Sequence, residues 1–425
     1  MFMTKICIFI TITIVVISIF SNYLKVMVSS EWCMKSSKQA HSRLKDDVLC
    51  DYDLEIRPKL NHTVATVISV KMILKSFSFD MHSHYLSLNA WATFFWADDH
   101  LQWDPEDYDG IKSTTFPVES LWIPDISHYN RYEQDGNHEI ISNVNCYVVY
   151  NGKVACVSPG KYDTLCTADL KYYPYDRQTC SFVIGSWMYS GEEVDLQFFN
   201  DPINMEELTQ NPEWKLINVT YTRNSGEDSC CPNSTFPSLI YTFVIERRGE
   251  FFEATAVIPA LGLILMTLLI LTLEAKESER ITLIVCDIIS HIIYLHYISW
   301  NVPSFGDNVP KIILFGRDSL VIVFFVLMIT VILRNITKSP ETSPNWANDY
   351  ISKALESRLG HMVLVLDFTM KNIAKIKREE DGENIVDNVQ RNVEKDCNLF
   401  AKFVDRLCVV LISFTYLLLI ILFLL

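Results

Sequence analysis

The stretch from Cys166 to Cys180, CTADLKYYPYDRQTC, encloses 13 residues between two cysteines. Its centre carries Tyr173, Pro174 and Tyr175, followed by Asp176. Aromatic rings bury large apolar areas, so we expect them in contact with other apolar groups even at a loop tip. Two partners fit this requirement. The rings fill the floor of their own domain, or they meet an apolar surface outside it.

Composition restricts the class of protein. The chain has 425 residues, 49% of them hydrophobic, and a net charge of -15. The apolar residues are concentrated in blocks, which excludes an ordinary soluble protein. The acidic charge argues against nucleic acid as a partner and raises the local concentration of cations instead.

The N-terminus has the pattern of a secretory signal. Lys5 precedes an apolar run over Ile6–Phe20, which predicts a signal peptide at residues 1–24. A first membrane anchor is the alternative. Residues 25–249 are then extracellular, and three sequons become candidate glycosylation sites at Asn61, Asn218 and Asn233.

Four later stretches reach the roughly 20 apolar residues that span a bilayer, namely Phe251–Leu273, Ile281–Val302, Ile312–Leu333 and Leu407–Leu425. We predict transmembrane helices 1–3 within residues 250–333, a cytoplasmic loop at 334–404 and helix 4 at 405–425. Both termini are then extracellular. Helical spacing of apolar residues over Asn384–Phe403 predicts an amphipathic helix that runs into the last span.

The extracellular part is predicted to be β-rich. From Thr63 to Leu74 the apolar residues fall on one face, as in a strand with one buried face. They are Val64, Ile68, Val70, Met72 and Leu74, with Thr66 between them. Apolar runs flank Asn151-Gly152, a strong hairpin signal in which both turn residues would take positive φ. Several such short strands with regular turns imply a sandwich or a barrel. Ala40–Leu49 is the one candidate for a short helix.

Eight of the 12 cysteines lie between Cys33 and Cys231, as expected for an oxidising compartment. Cys166 and Cys180 form the most convincing pair. Cys230 and Cys231 are adjacent, about 3.8 Å apart at Cα, so geometry favours separate partners for them. The sequence leaves open whether Cys33 pairs with Cys50 and Cys146 with Cys156.

The loop of 13 residues with its aromatic-Pro-aromatic-Asp centre resembles the signature of the Cys-loop pentameric ligand-gated ion channels. The resemblance extends over nearly the whole chain, through NAWATFFWADDHLQWDPEDYDGI, LWIPDISHYN, GSWMYSG and FVDRLCVVL. The adjacent cysteines resemble those of nicotinic acetylcholine receptor α-type subunits, in a divergent form. The implied architecture is an extracellular all-β sandwich on a four-helix transmembrane bundle, assembled as a homo- or hetero-pentamer.

The resemblance implies an amine site made of aromatic rings, which attract ammonium groups. Tyr129, Trp187, Tyr189 and Phe236 would form the principal face, and Trp91 would come from the complementary face of the neighbouring subunit. The same resemblance implies a Cys230–Cys231 disulfide beside them. Composition alone would place Tyr129 and Trp187 in a core, where Trp96 and Trp103 are expected.

Two positions depart from the nicotinic pattern. Asp228 replaces a tyrosine two residues before the adjacent cysteines, and Phe236 replaces another. The cage loses one ring and one hydroxyl but gains a carboxylate. We expect weaker affinity for acetylcholine and a gain for primary or secondary amines that can pair with Asp228.

The second span is the implied pore helix. Steps of three and four place seven residues on one face: Glu279, Thr282, Cys286, Ile289, Ile293, His296 and Trp300. Five copies of Glu279 would form a cation-selecting ring. A solvated helix-start carboxylate is the alternative for this residue. Off this face, Asp287 and His291 lie one turn apart and are expected to pair.

For coupling between site and pore, the resemblance implies a set at the base of the sandwich: Asp80, Tyr173, Pro174, Tyr175, Asp176, Arg248 and Pro310. Met81 stands where many family members carry a second acid. The predicted protein is a cation-selective, neurotransmitter-gated channel subunit of the postsynaptic plasma membrane. An accessory subunit that binds no agonist is the alternative.

Further expectations concern partners. The implied partners are a small acetylcholine-like amine, monovalent cations, membrane lipid and related subunits. Calcium is a further candidate permeant ion. No cofactor or metal is expected. The chain lacks the G-x-S-x-G, H-E-x-x-H and phosphate-loop patterns, so we predict that it is not an enzyme.

Overall fold

The computed structural model describes residues 39–133, 140–141, 143–226, 234–303, 309–338 and 385–423, with the backbone alone at 338 and 385–400. The predicted signal peptide, Asn233 and most of the predicted cytoplasmic loop lie outside these residues. The chain divides into two compact units. One comprises Met1–Thr167 with Gln178–Ile245, and the other Ala168–Arg177 with Glu246–Leu425.

The first unit contains two β-sheets preceded by a short helix, α1, at Ala40–Val48. The strands are β1 Thr66–Asp80, β2 Tyr85–Gln102, β3 Ser113–Pro117, β4 Ile126–His128, β5 Asn145–Val149, β6 Asn151–Leu165, β7 Arg177–Ser186, β8 Val194–Asn204, β9 Trp214–Asn224 and β10 Ser238–Arg247. A six-stranded sheet has the order β3-β5-β6-β2-β1-β8, and a four-stranded sheet has the order β4-β7-β10-β9. This arrangement confirms the predicted β-rich extracellular part.

The alternation of buried and exposed residues along strand β1 reverses partway along the strand. Of its predicted buried residues, those from Ile68 to Leu74 are each at most 1% exposed. The prediction was wrong for Val64, which is 50% exposed because it precedes the strand, whose first residue is Thr66. A β-bulge between Leu74 and Ser76 then shifts the register against β2, and the buried positions become Phe77 and Phe79. A bulge inserts one residue without a partner and so reverses the alternation of faces. The inserted residue is Lys75.

The predicted hairpin is present between β5 and β6. Of the two turn residues, Gly152 alone has positive φ, at 80°, so the expectation for Asn151 was wrong. A Cβ on Gly152 would overlap the carbonyl oxygen of Asp98, so close approach of backbone also requires glycine here. The hairpin register places Cys146 opposite Cys156.

The disulfides left open by the sequence are partly decided. Cys146 and Cys156 are bonded, with their Cα atoms 4.4 Å apart. Cys166 and Cys180 are bonded as predicted, with Cα atoms 5.3 Å apart. Cys50 is also in a disulfide, whereas Cys33, Cys230 and Cys231 lie outside the described residues.

Within its described residues, the second unit contains four helices long and apolar enough to cross a membrane, as predicted. They are α2 at Glu250–Ile270, α3 at Ser278–Asn301, α4 at Lys311–Lys338 and α5 at Ile385–Phe423. The first includes a π-helical segment over Glu253–Val257. The predicted amphipathic helix and the last span form one continuous helix of 39 residues.

A buried polar cluster joins all four helices. Thr267 Oγ1 of α2 donates to Asp287 Oδ2 of α3 at 2.8 Å, and Asp287 Oδ1 lies 3.3 Å from His291 Nδ1. His291 Nε2 lies 2.8 Å from Ser319 Oγ of α4, which lies 3.0 Å from the Tyr416 hydroxyl of α5. The predicted contact between Asp287 and His291 is present, with His291 Nδ1 also 2.9 Å from the Asp287 carbonyl oxygen. Ionisable groups inside a membrane normally have such partners.

A buried ion pair connects α3 with α5. Arg280 is fully buried, and its Nη1 lies 2.9 Å from Asp405 Oδ2 and 2.8 Å from the Leu273 carbonyl oxygen. Arg280 directly follows Glu279 in sequence but points into the bundle. An exposed pair lies nearby, between Lys402 Nζ and Glu274 Oε1 at 2.9 Å.

We expect Asp405→Asn to lower the free energy of unfolding by about 3 kcal/mol or more, because it leaves the buried Arg280 guanidinium without its countercharge. Lys402→Gln is the matched control and should cost under about 1 kcal/mol, since its pair is solvent-exposed. Denaturant unfolding of the detergent-solubilised chain measures both. Equal effects of the two substitutions would contradict the assignment of Arg280 to the bundle interior.

Candidate ligand site and pore-facing helix

Two aromatic residues meet at one region of the four-stranded sheet. Tyr129 directly follows β4, and Trp187 directly follows β7. The antiparallel register pairs Ile126 with Ser186 and His128 with Ile184, so Tyr129 and Trp187 lie at opposite ends of the three-residue ladder. The Tyr129 ring lies over Gly185 and so reaches the side where Trp187 lies. The ring centroids of Tyr129 and Trp187 lie 6.2 Å apart with planes at 71°. The side chains are 37% and 61% exposed, so this pair is a surface feature and not core.

Asp125 holds the chain in position after β7. Its Oδ1 accepts from Ser186 Oγ and its Oδ2 from the Met188 backbone N–H, both at 2.6 Å. Its carbonyl oxygen accepts from Trp187 N at 3.3 Å. Asp125 is the last residue of the Trp-Ile-Pro-Asp motif. The motif was recognisable in the sequence, but the role of Asp125 was not.

Tyr129 packs over a glycine. Its hydroxyl donates to the Ser186 carbonyl oxygen, and its ring lies against Gly185. A Cβ at Gly185 would overlap the Tyr129 ring. Any larger residue at position 185 would displace the ring. The Gly-Ser-Trp sequence therefore provides both the space for Tyr129 and the second aromatic residue, Trp187.

The other predicted principal-face residues lie on nearby segments. Tyr189 N donates to Ser186 Oγ at 3.0 Å, and the Tyr189 ring lies 6.3 Å from Trp122. Phe236 is half-buried just before β10, and its N–H donates to the Gly226 carbonyl oxygen at 3.4 Å. Asp228, Cys230 and Cys231 lie outside the described residues. Trp96 and Trp103 are buried, as predicted.

Trp91 lies on the other sheet. It is in β2, opposite Ile73 of β1, and its side chain is 43% exposed. The chain therefore presents Trp91 on a different sheet from Tyr129 and Trp187. An exposed Trp91 fits the prediction that this ring serves a neighbouring subunit.

Helix α3 has two distinct faces. Its buried residues are Arg280, Ile284, Asp287, His291, Tyr294 and Ile298. Its predicted pore-facing residues are all exposed: Glu279, Thr282, Cys286, Ile289, Ile293, His296 and Trp300. Both sets advance by three or four residues, so they occupy separate stripes. One stripe packs in the bundle, and the other is available to face other molecules or water.

The loop tip packs against the start of the first membrane helix. Tyr173 is 4% exposed, with its ring centroid 5.4 Å from that of Phe252, and Pro174 is buried. Tyr175 is half-exposed, and its hydroxyl donates to Glu253 Oε1 at 2.9 Å. Burial and the adjacent Glu253 carboxylate raise the pKa of Tyr175. The apolar partner of the tip is therefore the start of the first membrane helix, within the same unit.

Asp176 forms a buried bidentate ion pair with Arg247, the neighbour of the predicted Arg248. The Nε–Oδ1 distance is 2.8 Å and the Nη2–Oδ2 distance 3.2 Å, with side chains 0% and 1% exposed. Sequence reasoning missed Arg247. The signal was available, because Arg247 continues the buried alternation of β10 two residues beyond Ile245.

The remaining predicted coupling residues have local roles. Asp80 Oδ1 accepts from the backbone N–H groups of His82 and Ser83. Partial burial opposes its charge, but these hydrogen bonds outweigh burial and lower the pKa of Asp80. Pro310 is buried, and its carbonyl oxygen accepts from Ile313 N at the start of α4. Of the sequons, Asn61 and Asn218 are exposed.

A β-rich extracellular unit followed by four membrane-length helices, one of them with a separate exposed stripe, defines the class of pentameric ligand-gated ion channels. The family model of the neurotransmitter-gated ion-channel ligand binding domain matches residues 41–249. A neuronal acetylcholine receptor subunit non-alpha-2 of Carassius auratus is 30% identical, over 73% of this chain and 67% of the relative.

Two further relatives are similar over most of the chain. A neuronal acetylcholine receptor subunit alpha-5 of Rattus norvegicus is 28% identical, over 82% of this chain and 76% of the relative. An acetylcholine receptor subunit alpha-like 2 of Drosophila melanogaster is 28% identical, over 82% of this chain and 64% of the relative. The chain belongs to the nicotinic acetylcholine receptor subunit family of neurotransmitter-gated ion channels.

Membership has direct consequences. The protein is a multi-pass plasma-membrane subunit with an extracellular N-terminal domain, and its family consists of channels, which are not enzymes. The family implies pentameric assembly with related subunits and binding of a ligand.

His128, next to Tyr129, makes the stability of the first unit dependent on pH. Burial lowers the pKa of His128 to about 4, below its ordinary value near 6.5. The unfolded chain therefore binds more protons between these values, so this contribution to stability is complete above about pH 6.5 and is lost as pH falls towards 4.

We expect the melting temperature of the solubilised protein to fall less steeply from pH 6.5 to 4 in His128→Phe than in the parent. The substitution keeps a ring beside Phe182, 4.6 Å from the His128 ring. His100→Phe is the control, because His100 is exposed. Identical pH profiles for the parent and His128→Phe would contradict this assignment.

Proposed function

We propose that the chain is a subunit of a cation-selective channel opened by acetylcholine or a related amine. The observation that carries the proposal is the exposed, edge-to-face pair of Tyr129 and Trp187. Exposed aromatic faces attract ammonium groups at about 0.5–2 kcal/mol for each well-placed ring. Asp125 and Gly185 hold this pair without occupying its outer surface.

The complete site needs two subunits in this proposal. Tyr129, Trp187, Tyr189 and Phe236 supply the principal face, with Asp228, Cys230 and Cys231 beside them. Trp91 of a neighbouring subunit supplies the complementary face. Because one chain carries both sets, homopentamers and mixed pentamers both satisfy the requirement.

We expect Trp187→Ala to raise the half-maximal agonist concentration of the assembled receptor by about 2- to 30-fold, which is the loss of one cation–ring contact. Trp187→Phe should recover part of the loss. Tyr147→Ala is the control, since Tyr147 is a half-exposed aromatic residue on β5. Concentration–response curves for acetylcholine, recorded from cells expressing the full chain, measure the effect. Equal curves for Trp187→Ala and the parent would refute the amine site.

The exposed stripe of α3 is the proposed pore lining. Five copies of Glu279 would surround the cytoplasmic mouth and favour cations. Ile289 and Ile293, 51% and 63% exposed in the single chain, would form a hydrophobic gate that closes by dewetting. Burial of Arg280 in the bundle supports this assignment, because the basic neighbour of Glu279 is withdrawn from the same surface.

We expect Glu279→Gln to reduce the preference for sodium over chloride, seen as a shift of the reversal potential when external sodium chloride is diluted. Glu274→Gln is the control, since that carboxylate pairs with Lys402 outside the stripe. A reversal potential unchanged by Glu279→Gln in a conducting receptor would contradict the selectivity ring.

Coupling between site and pore is assigned to the loop tip and its surroundings. Asp176 with Arg247, together with Tyr173, Pro174 and Tyr175, would pass movement of the β-rich unit to the first membrane helix. Asp80, Arg248 and Pro310 remain proposed members of this set. The comparisons do not favour an accessory subunit without agonist binding, and we do not propose that role.

A further inference from the structure

The ring proposed for the complementary face already has a cation from its own chain. Lys75 Nζ lies 3.8 Å from the centroid of the Trp91 ring. By comparison, Lys311 Nζ lies 4.5 Å from the Tyr172 ring centroid. The Lys75 ammonium takes the position that an amine ligand would use on the same face of Trp91.

The backbone explains why Lys75 reaches Trp91. Lys75 is the inserted residue of the β1 bulge, and bulges redirect a side chain relative to the regular ladder. Its carbonyl oxygen accepts from Thr209 N at 2.8 Å. Its ammonium also forms an ion pair with Glu207. The segment between β8 and β9 therefore fixes Lys75 at both its backbone and its side chain.

Partial burial of the Lys75 side chain supports a defined position for its ammonium group. The Lys75 side chain is 23% exposed, whereas its partner Glu207 is 69% exposed and Trp91 43%. The positive charge thus lies, partly buried, over the face of an exposed ring. Glu207 offsets this charge only in part, because its carboxylate is largely exposed to solvent. A second cation arriving at Trp91 would still meet a like charge at close range, which is unfavourable, whereas an anionic or hydrogen-bond-accepting group would be attracted.

We propose that Lys75 determines the ligand specificity of the complementary face. The ligand group that reaches Trp91 is a carboxylate or another strong acceptor, and the ammonium of the same ligand stays with Tyr129 and Trp187. The preferred class at an interface where this chain supplies the complementary face is therefore a zwitterionic or acceptor-bearing amine. This inference rests on the proposed amine site and deepens it.

A matched ligand pair tests the proposal. Tetramethylammonium and trimethylglycine carry similar quaternary ammonium groups, but trimethylglycine adds a carboxylate. The purified, full-length assembly is melted with each ligand, and the concentration giving half of the maximal thermal shift is determined. The readout is the ratio of the two concentrations, which is independent of whether the receptor conducts.

We expect Lys75→Gln to shift this ratio at least tenfold in favour of tetramethylammonium, which corresponds to about 1.4 kcal/mol. Lys75→Arg keeps the charge and should keep the parent ratio. Lys71→Gln is the control. Lys71 lies on the same strand, is 22% exposed and pairs with Asp201, so it matches Lys75 except for the ring.

The outcomes separate the two proposals. A ratio unchanged in Lys75→Gln, while Trp187→Ala weakens both ligands, would overturn the role of Lys75 and leave the amine site intact. Equal shifts in Lys75→Gln and Lys71→Gln would also overturn it, because general surface charge would then explain the effect. Failure of both ligands to shift the parent would overturn the amine site and this inference with it.

Discussion

The ion pair between Asp176 and Arg247 is the interaction on which the second unit depends. Removing two charges from water is costly, and only close, well-aligned contacts offset that cost. Here the guanidinium meets the carboxylate in a two-point arrangement, the geometry in which such pairs are strongest. The guanidinium carbon also lies 5.1 Å from the Tyr173 ring centroid and 5.3 Å from that of Phe252. One charged centre thus joins the loop tip to the start of the first membrane helix.

The membrane helices follow a related rule. A polar group that cannot reach water needs a partner inside the protein. Asp287 of α3 has its partner in Thr267 of α2, and His291 has its partner in Ser319 of α4. Tyr416 of α5 completes the cluster through its contact with Ser319. Because one stripe of α3 is committed to these contacts, the opposite stripe is left exposed. The rotation of α3 about its axis is therefore set by its buried polar residues.

The aromatic residues of the β-rich unit show how small backbone features position large side chains. Gly185 leaves space for Tyr129, and Asp125 fixes the turn that carries Trp187. On the other sheet, one inserted residue in β1 brings Lys75 onto Trp91. The two aromatic surfaces consequently differ in charge. Tyr129 and Trp187 form a ring pair, whereas Trp91 is covered in part by an ammonium.

The sequence by itself determined the β-rich part, the four membrane-length helices, the Cys166–Cys180 loop and the exposed stripe of α3. These follow from periodicity, length and spacing, which are local properties of the chain. It could also have identified Arg247, since two-residue alternation along β10 continues to that position. Tertiary structure alone decided three features: the pairing of Asp405 with Arg280, the contacts around Asp287, and the position of Lys75. Each feature is a contact between segments distant in sequence or depends on a β-bulge. No local sequence pattern predicts such contacts or bulges.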